Sequence, residues 1–205
     1  LFALCLFCRK EKKDQAFEKH LNQRKLQTMR KLDMHELGRL TPEGFKEAEK
    51  LPLILVLDNL RSLNNVGAAF RTADAFLAEK IYLCGITGTP PNKEIHKTAL
   101  GATDTVTWEY APETTAVLAG LRRQGYQLLA LELTNQSVPL HQLKVAPGGK
   151  YALVFGHEVF GVSDEALALC DTAIEIPQWG TKHSLNVSVC MGIALWHVVQ
   201  RLKGL

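Results

Sequence analysis

Near its C-terminal end the chain carries Val187, Val189, Met191, Ile193, Ala194, Leu195, Trp196, Val198 and Val199, a helical run apolar around much of its circumference. A helix on a protein surface shows a clear polar face, and this one does not. Either a sheet and neighbouring helices surround it, or a second subunit covers what they leave open. The residues leading into it run Ile176-Pro-Gln-Trp-Gly-Thr-Lys-His-Ser-Leu-Asn186. Pro177 and Gly180 force an irregular path there, which exposes backbone donors and acceptors. Ser184 and Asn186 stand at the helix entrance, able to cap it or to orient a ligand.

The remainder of the chain alternates strand-like and helix-like runs. Leu53-Ile-Leu-Val-Leu57 is apolar on both faces, as a strand covered from both sides must be, and a helix is expected from about Val66. The pattern then predicts strands over Lys80–Cys84, Thr105–Trp108, Tyr126–Glu132, Tyr151–Phe155 and Thr172–Ile176. Helices are expected over Glu94–Leu100, 113–123, Asp164–Leu169 and Leu185–Leu202. Buried strands alternating with helices predict an α/β fold with a mostly parallel sheet and helices on both faces, its ligand near the carboxyl ends of the strands.

At 205 residues the chain is long enough for one such core plus an appendage. Residues 1–50 read as a basic, partly helical N-terminal arm and linker, with a helix over Ala16–Met34 and a capped turn where Thr41 precedes Pro42. Residues 51–205 read as the folded domain. Positions 9–31 hold nine Lys or Arg against three acidic residues while the whole chain carries only +3, so the positive field belongs to the arm. Such an arm attracts a phosphate backbone without reading sequence; a solvated helix surface is the plainer alternative.

Leu1–Phe7 makes a poor signal peptide, and no run reaches membrane-spanning length. Met29 is a plausible alternative start. The five cysteines are odd in number, and Cys84, Cys170 and Cys190 lie in apolar surroundings, which favours reduced packing residues and a cytoplasmic protein. Cys5-x-x-Cys8 has no second ligand pair beside it, so no metal is expected.

Two further polar segments follow strands. In Asn64-Asn-Val-Gly-Ala-Ala-Phe-Arg71, Gly67 permits close backbone approach and Asn64 or Asn65 can cap the helix or bind a polar substrate. Arg71 sits among small and apolar neighbours, so its guanidinium either satisfies an internal carboxylate or points into an anion site. In Phe155-Gly-His-Glu-Val-Phe-Gly-Val-Ser163, Gly156 and Gly161 relieve two crowded turns. Glu158 can accept ligand hydroxyls or pair with Arg71, and Ser163 reads as a helix cap. The spacing is not the glycine fingerprint of dinucleotide binding, which argues against a nicotinamide-dependent oxidoreductase.

Three motifs in this order, Asn65-x-Gly67-x-x-x-Arg71, Gly156-x-Glu158-x-x-Gly161-x-Ser163 and Ile176-Pro-x-x-Gly180-x-x-x-Ser184-Leu-Asn-Val-Ser188, resemble the SpoU/TrmH family of SPOUT RNA methyltransferases. The resemblance spans about Leu51 to Leu202. It implies a C-terminal trefoil knot, S-adenosylmethionine as cofactor, a ribose 2′-hydroxyl of tRNA or rRNA as acceptor, and a homodimer. It places cofactor contacts at Gly156, Ile176, Gly180, Leu185 and Asn186, and the catalytic neighbourhood at Asn65, Arg71, Glu158, Ser184 and Asn186. The stretch from Met29 to Trp108 is similar to the branch acting on guanosine ribose in tRNA. His157 stands where the family commonly has Asn, as a turn residue or a proton-exchanging group.

A ribose hydroxyl is a weak nucleophile, and a guanidinium is a poor base because it stays protonated. Arg71 is therefore expected to grip the adjacent phosphate and stabilise charge on the 2′-oxygen. The proton then passes to that phosphate, to water, or transiently to the guanidine. A noncatalytic RNA-binding or assembly protein on the same fold is the alternative of a different class.

Overall fold

A computed structural model of the chain describes residues 29–33 and 35–205. The Cys5-x-x-Cys8 pair and most of the expected arm helix fall outside the described residues. The chain divides into two units at Arg39–Leu40, the second spanning Leu40–Leu205. In the first, a 3-10 turn at His35–Leu37 is braced by Arg30, whose guanidinium meets the Glu36 carboxylate at 2.6 and 2.8 Å.

The second unit opens with α1 (Pro42–Glu47). The Thr41 hydroxyl accepts from the Gly44 N–H at 3.1 Å, Pro42 occupies the first turn, and Phe45 is buried. Then come β1 (Leu51–Asp58), α2 (Leu63–Ala75), β2 (Ala78–Cys84), α3 (Lys93–Ala99), β3 (Trp108–Ala111), α4 (Thr114–Arg123) and β4 (Gln127–Leu131). A two-residue β5 (Val138–Pro139) precedes β6 (Tyr151–Phe155), α5 (Asp164–Leu167), β7 (Thr172–Glu175) and α6 (Val187–Leu202).

The seven strands form one sheet in the order β3-β2-β1-β6-β4-β7-β5, and every adjacent pair is parallel. Alternation of side chains across the strand sorts the core into two layers. Leu53, Leu55 and Leu57 join the layer that contains Phe70 of α2, Ile95 of α3 and Leu195 of α6. Ile54 and Val56 join the one that contains Leu118 of α4 and Ala166 of α5. Covering on both faces is why these strands are almost wholly apolar.

Two late strands occupy interior places. β6 lies between β1 and β4, and β7 between β4 and β5, so the last third of the chain returns into a sheet laid down earlier. This topology is consistent with the trefoil-knotted SPOUT fold, an exception to ordinary unthreaded connections. Because all pairs are parallel, the segments leaving β1, β6 and β7 emerge along one edge of the sheet.

Several boundaries differ from the sequence pattern. The third strand begins at Trp108, three residues after the expected Thr105, because the Thr105 hydroxyl donates to Asp74 at 2.6 Å, with the Ala102 carbonyl 3.2 Å away as the alternative acceptor. Such local side-chain bonds compete with a sheet ladder. Helix α2 starts at Leu63 with Ser62 as its cap, not Asn64 or Asn65. Ser163 holds the cap position of α5 without a side-chain cap bond.

Candidate active site

The first loop of the site starts from a buried acid. Asp58, at the end of β1, is 1% exposed. It accepts from the Thr114 hydroxyl at 2.5 Å, the Asn59 amide at 2.9 Å and the Ser163 N–H at 2.8 Å. The Ser163 contact ties the segment after β6 to the segment after β1. Ser163 thus contributes to the site through its backbone N–H.

The segment after β6 closes tightly. His157 and Gly161 exchange backbone hydrogen bonds at 2.9 and 2.8 Å, and the Val159 N–H donates to His157 Nδ1 at 3.0 Å. His157 therefore acts here as the acceptor of its own turn, the role a short Asn side chain also fills. Gly161 has φ +71°, and a side chain there would strike the Glu132 carboxylate, which is held by the Val162 N–H at 2.9 Å. Asp58 and Glu132 were not singled out in the sequence. Their signal was an acid placed at the end of an apolar strand.

Glu158 extends from this loop onto the start of α2. Its Oε1 accepts from the Asn65 amide at 2.8 Å and the Ser62 N–H at 2.9 Å, and Oε2 accepts from the Arg61 N–H at 3.1 Å. Burial alone would push the Glu158 pKa up. The hydrogen bonds from Asn65 and from nearby backbone N–H groups outweigh it and hold the carboxyl below its usual range.

The expected pairing of Glu158 with Arg71 does not form. Both Glu158 oxygens are engaged by the Arg61–Asn65 segment that leads into α2, and Arg71 lies six residues beyond Asn65, about 9 Å along the helix axis. Arg71 is exposed, and neither an ion pair nor a side-chain hydrogen bond engages it among the described residues. Of its two sequence readings, the internal salt bridge is absent among those residues.

The loops after β6 and β7 enclose a cavity of about 550 Å³, within the usual range for small-molecule sites. Gly156, Glu158, Ile176, Ser184, Leu185 and Asn186 all line it, with an apolar wall that includes Leu131 and Ile174. Asn65 joins through its bond to Glu158. Gly180 lies outside the lining, with open space around it, and so does Arg71. Asn186 caps α6, accepting from the Ser188 N–H at 2.8 Å and the Ser188 hydroxyl at 2.5 Å. Apolar walls suit a base, while the carboxylates of Glu132, Glu158 and Glu175 suit hydroxyl groups or a positive centre. This donor and acceptor set fits a cationic nucleoside cofactor.

Such a cavity at the carboxyl edge of a parallel sheet, beneath a returning chain, defines an α/β protein of the nucleoside-cofactor-binding class. Residues 52–196 match the SpoU rRNA Methylase family, and the chain belongs to that family. It is 34% identical to the 23S rRNA (guanosine-2′-O-)-methyltransferase RlmB of Vibrio parahaemolyticus over 73% of this chain and 60% of that protein. It is 32% identical to the tRNA (guanosine(18)-2′-O)-methyltransferase of Thermus thermophilus over 74% of this chain and 76% of that protein. The chain thus spans about three fifths of the Vibrio relative.

Among solved structures, the A. aeolicus TrmH/SpoU tRNA modifying enzyme matches with a TM-score of 0.70 and 29% identity, over 80% of this chain and 81% of that one. The AdoMet-bound rRNA methyltransferase from Sinorhizobium meliloti matches with a TM-score of 0.69 and 27% identity, over 80% of this chain and 61% of that one.

Proposed function

We propose that this chain transfers a methyl group from S-adenosylmethionine to a ribose 2′-hydroxyl of tRNA or rRNA, with a guanosine ribose of tRNA as the favoured acceptor. The observation that carries the reading is the cavity between the Gly156–Gly161 and Ile176–Asn186 segments, with Asn65 bonded to its Glu158 wall. The activities of the Vibrio and Thermus relatives support the reaction class and the guanosine ribose. The AdoMet-bound Sinorhizobium structure supports the cofactor.

When bound, the cofactor supplies a methyl group already activated by its sulfonium. The chain's task is alignment and charge control. Gly156, Ile176 and Leu185 hold the cofactor, largely through backbone groups and apolar contact. Glu158 positions Asn65 at the start of α2, and Ser184 and Asn186 orient the ribose or the methionine end. Arg71 grips the phosphate next to the reacting ribose and stabilises negative charge at the 2′-oxygen. Its exposure leaves it accessible to a large polyanion.

The active unit is a homodimer. Met191, Ala194, Leu195, Val198 and Val199 of α6 are buried within the chain, whereas Val189, Ile193 and Trp196 remain exposed at helical spacing. A second copy covers that stripe, and the basic arm helps hold the RNA. Methyl transfer from labelled cofactor into separate tRNA and rRNA pools, followed by mapping of the modified nucleotide, tests the proposal. Label in a ribose 2′-O position is expected; label in a base, or none in either pool, overturns it.

A further inference from the structure

A second cavity lies outside the three-loop site. It is a groove of about 750 Å³ between one face of α3, the Pro90–Pro91 segment before it, the turn at Thr103–Asp104, and Trp108 at the start of β3. In the sheet order β3 is an edge strand, so Trp108 stands at the margin of the domain. Its ring is held by Phe70, edge to face, with centroids 6.4 Å apart. The groove has an apolar floor and a charged rim. Lys93, His96 and Lys97 form one side, and Asp104 stands among the remaining lining residues.

The three basic residues are spaced i, i+3 and i+4, so they share one face of α3. That face is not the one packed on α2, which Ile95, Thr98 and Ala99 present to Gly67. All three are exposed, and none forms an ion pair among the described residues. The charges of Lys93 and Lys97 are therefore not consumed by the fold.

An aromatic plane flanked by cations is the recognition set for single-stranded nucleic acid, where bases stack and phosphates track the positive rim. An apolar peptide would leave the lysines without partners. An acidic peptide would use the lysines and leave the indole plane unused. We propose that this groove is an auxiliary RNA subsite that stacks one unpaired base on Trp108 and holds its flanking phosphates on Lys93 and Lys97. The Asp104 carboxylate repels phosphate, so the backbone runs along α3 and the nucleotide turns a base N–H edge or its ribose hydroxyl toward Asp104. The subsite adds affinity and selects unpaired over duplex RNA, and it takes no part in the chemical step. It rests on the RNA reading given above.

The test uses the full chain and hexauridylate as probe, in fluorescence anisotropy across salt concentrations. The variant K93E/K97E is compared with K46E/K144E, an equal change of charge at exposed lysines outside the groove. The groove variant is expected to bind about tenfold more weakly, with a log–log salt slope shallower by about 1.4, the value for two lost phosphate contacts to a single strand. The other variant should change binding less than about twofold, and cofactor affinity by calorimetry should be unchanged in both. A hexamer carrying 5-iodouridine should photocross-link to the peptide that contains Trp108. Equal loss in both variants, or cross-linking only to peptides outside the groove, overturns the subsite while leaving methyl transfer to RNA intact. Absence of both RNA binding and methyl transfer in the unaltered chain overturns the RNA reading and the subsite together.

Discussion

Replacing Gly156 with alanine would put a methyl group into the seam between β6 and the turn that follows it. The added Cβ would stand 2.0 Å from the Gly161 carbonyl carbon, 2.1 Å from its oxygen and 2.2 Å from the Val162 nitrogen. Favourable contact between carbon atoms begins near ~3.5 Å. All three obstacles are backbone, so no side-chain rotation relieves them. The Gly161–Val162 segment has to move away, which breaks the His157–Gly161 hydrogen bonds of 2.9 and 2.8 Å and loosens the Val162 N–H from Glu132.

Two or three bonds at about 1 kcal/mol net each, with about 1–3 kcal/mol of overpacking strain, give a loss of about 3–6 kcal/mol. That is a large part of a typical domain's stability of roughly 5–15 kcal/mol. Urea denaturation with a common m-value reads the loss, and calorimetry with S-adenosylmethionine should show weakened binding because the same segment lines the cavity. Gly180→Ala is the contrast: nothing lies within 4 Å of its added Cβ, so neither quantity should move appreciably. A Gly156→Ala protein within about 0.5 kcal/mol of the parent, with cofactor affinity kept, would refute the account of this loop.

Arg71→Ala should leave stability within about 0.5 kcal/mol, because the residue is exposed, yet lower single-turnover methylation by about a hundredfold or more with cofactor affinity retained; normal turnover with normal RNA binding would remove its assigned role. Glu158 has a folded-state pKa below its ordinary value, so its stabilisation is present above the usual carboxylate range and disappears as pH falls through the folded value. The difference in urea midpoint between the parent and Glu158→Gln should therefore shrink from pH 7 to pH 3, and a difference independent of pH would contradict the hydrogen-bond assignment. Ile193→Asp should convert a dimer to a monomer in light scattering, whereas a parent that stays monomeric at high concentration would exclude α6 as the interface. His157→Asn keeps a side-chain acceptor for the Val159 N–H and should change stability by less than about 1 kcal/mol, while His157→Ala should cost more.

The chain order of strands was readable because burial on both faces leaves its mark on nearly every residue of β1 and β6, with no partner needing to be known. The cap of α1 was readable for the same local reason, since Thr41 and Pro42 act within one turn. What escaped the sequence depends on distant partners. Asn65 is free for Glu158 only because Ser62 caps α2, and those two bonded side chains are 93 positions apart. Arg71 and Glu158 carry opposite charges within matching motifs, so pairing them was reasonable from composition. Three donors at the start of α2 had already engaged the carboxylate.

The two-residue β5 left no periodicity at all, and β3 was displaced by a threonine hydroxyl that reaches Asp74. The apolar helix shows both regimes at once. Its composition required cover around most of its circumference, and that requirement was local. Which stripe the chain covers was not, because the division between Leu195 inside and Ile193 outside is set by where α2 and the turn at Leu140–Gln142 stand against α6. The uncovered stripe starts at Val189, four positions after the cavity-lining Leu185, so one helix links the cavity wall to the surface a second copy would occupy. Dimerisation and site assembly are then expected to weaken together, and Ile193→Asp should also raise the dissociation constant for S-adenosylmethionine measured by calorimetry.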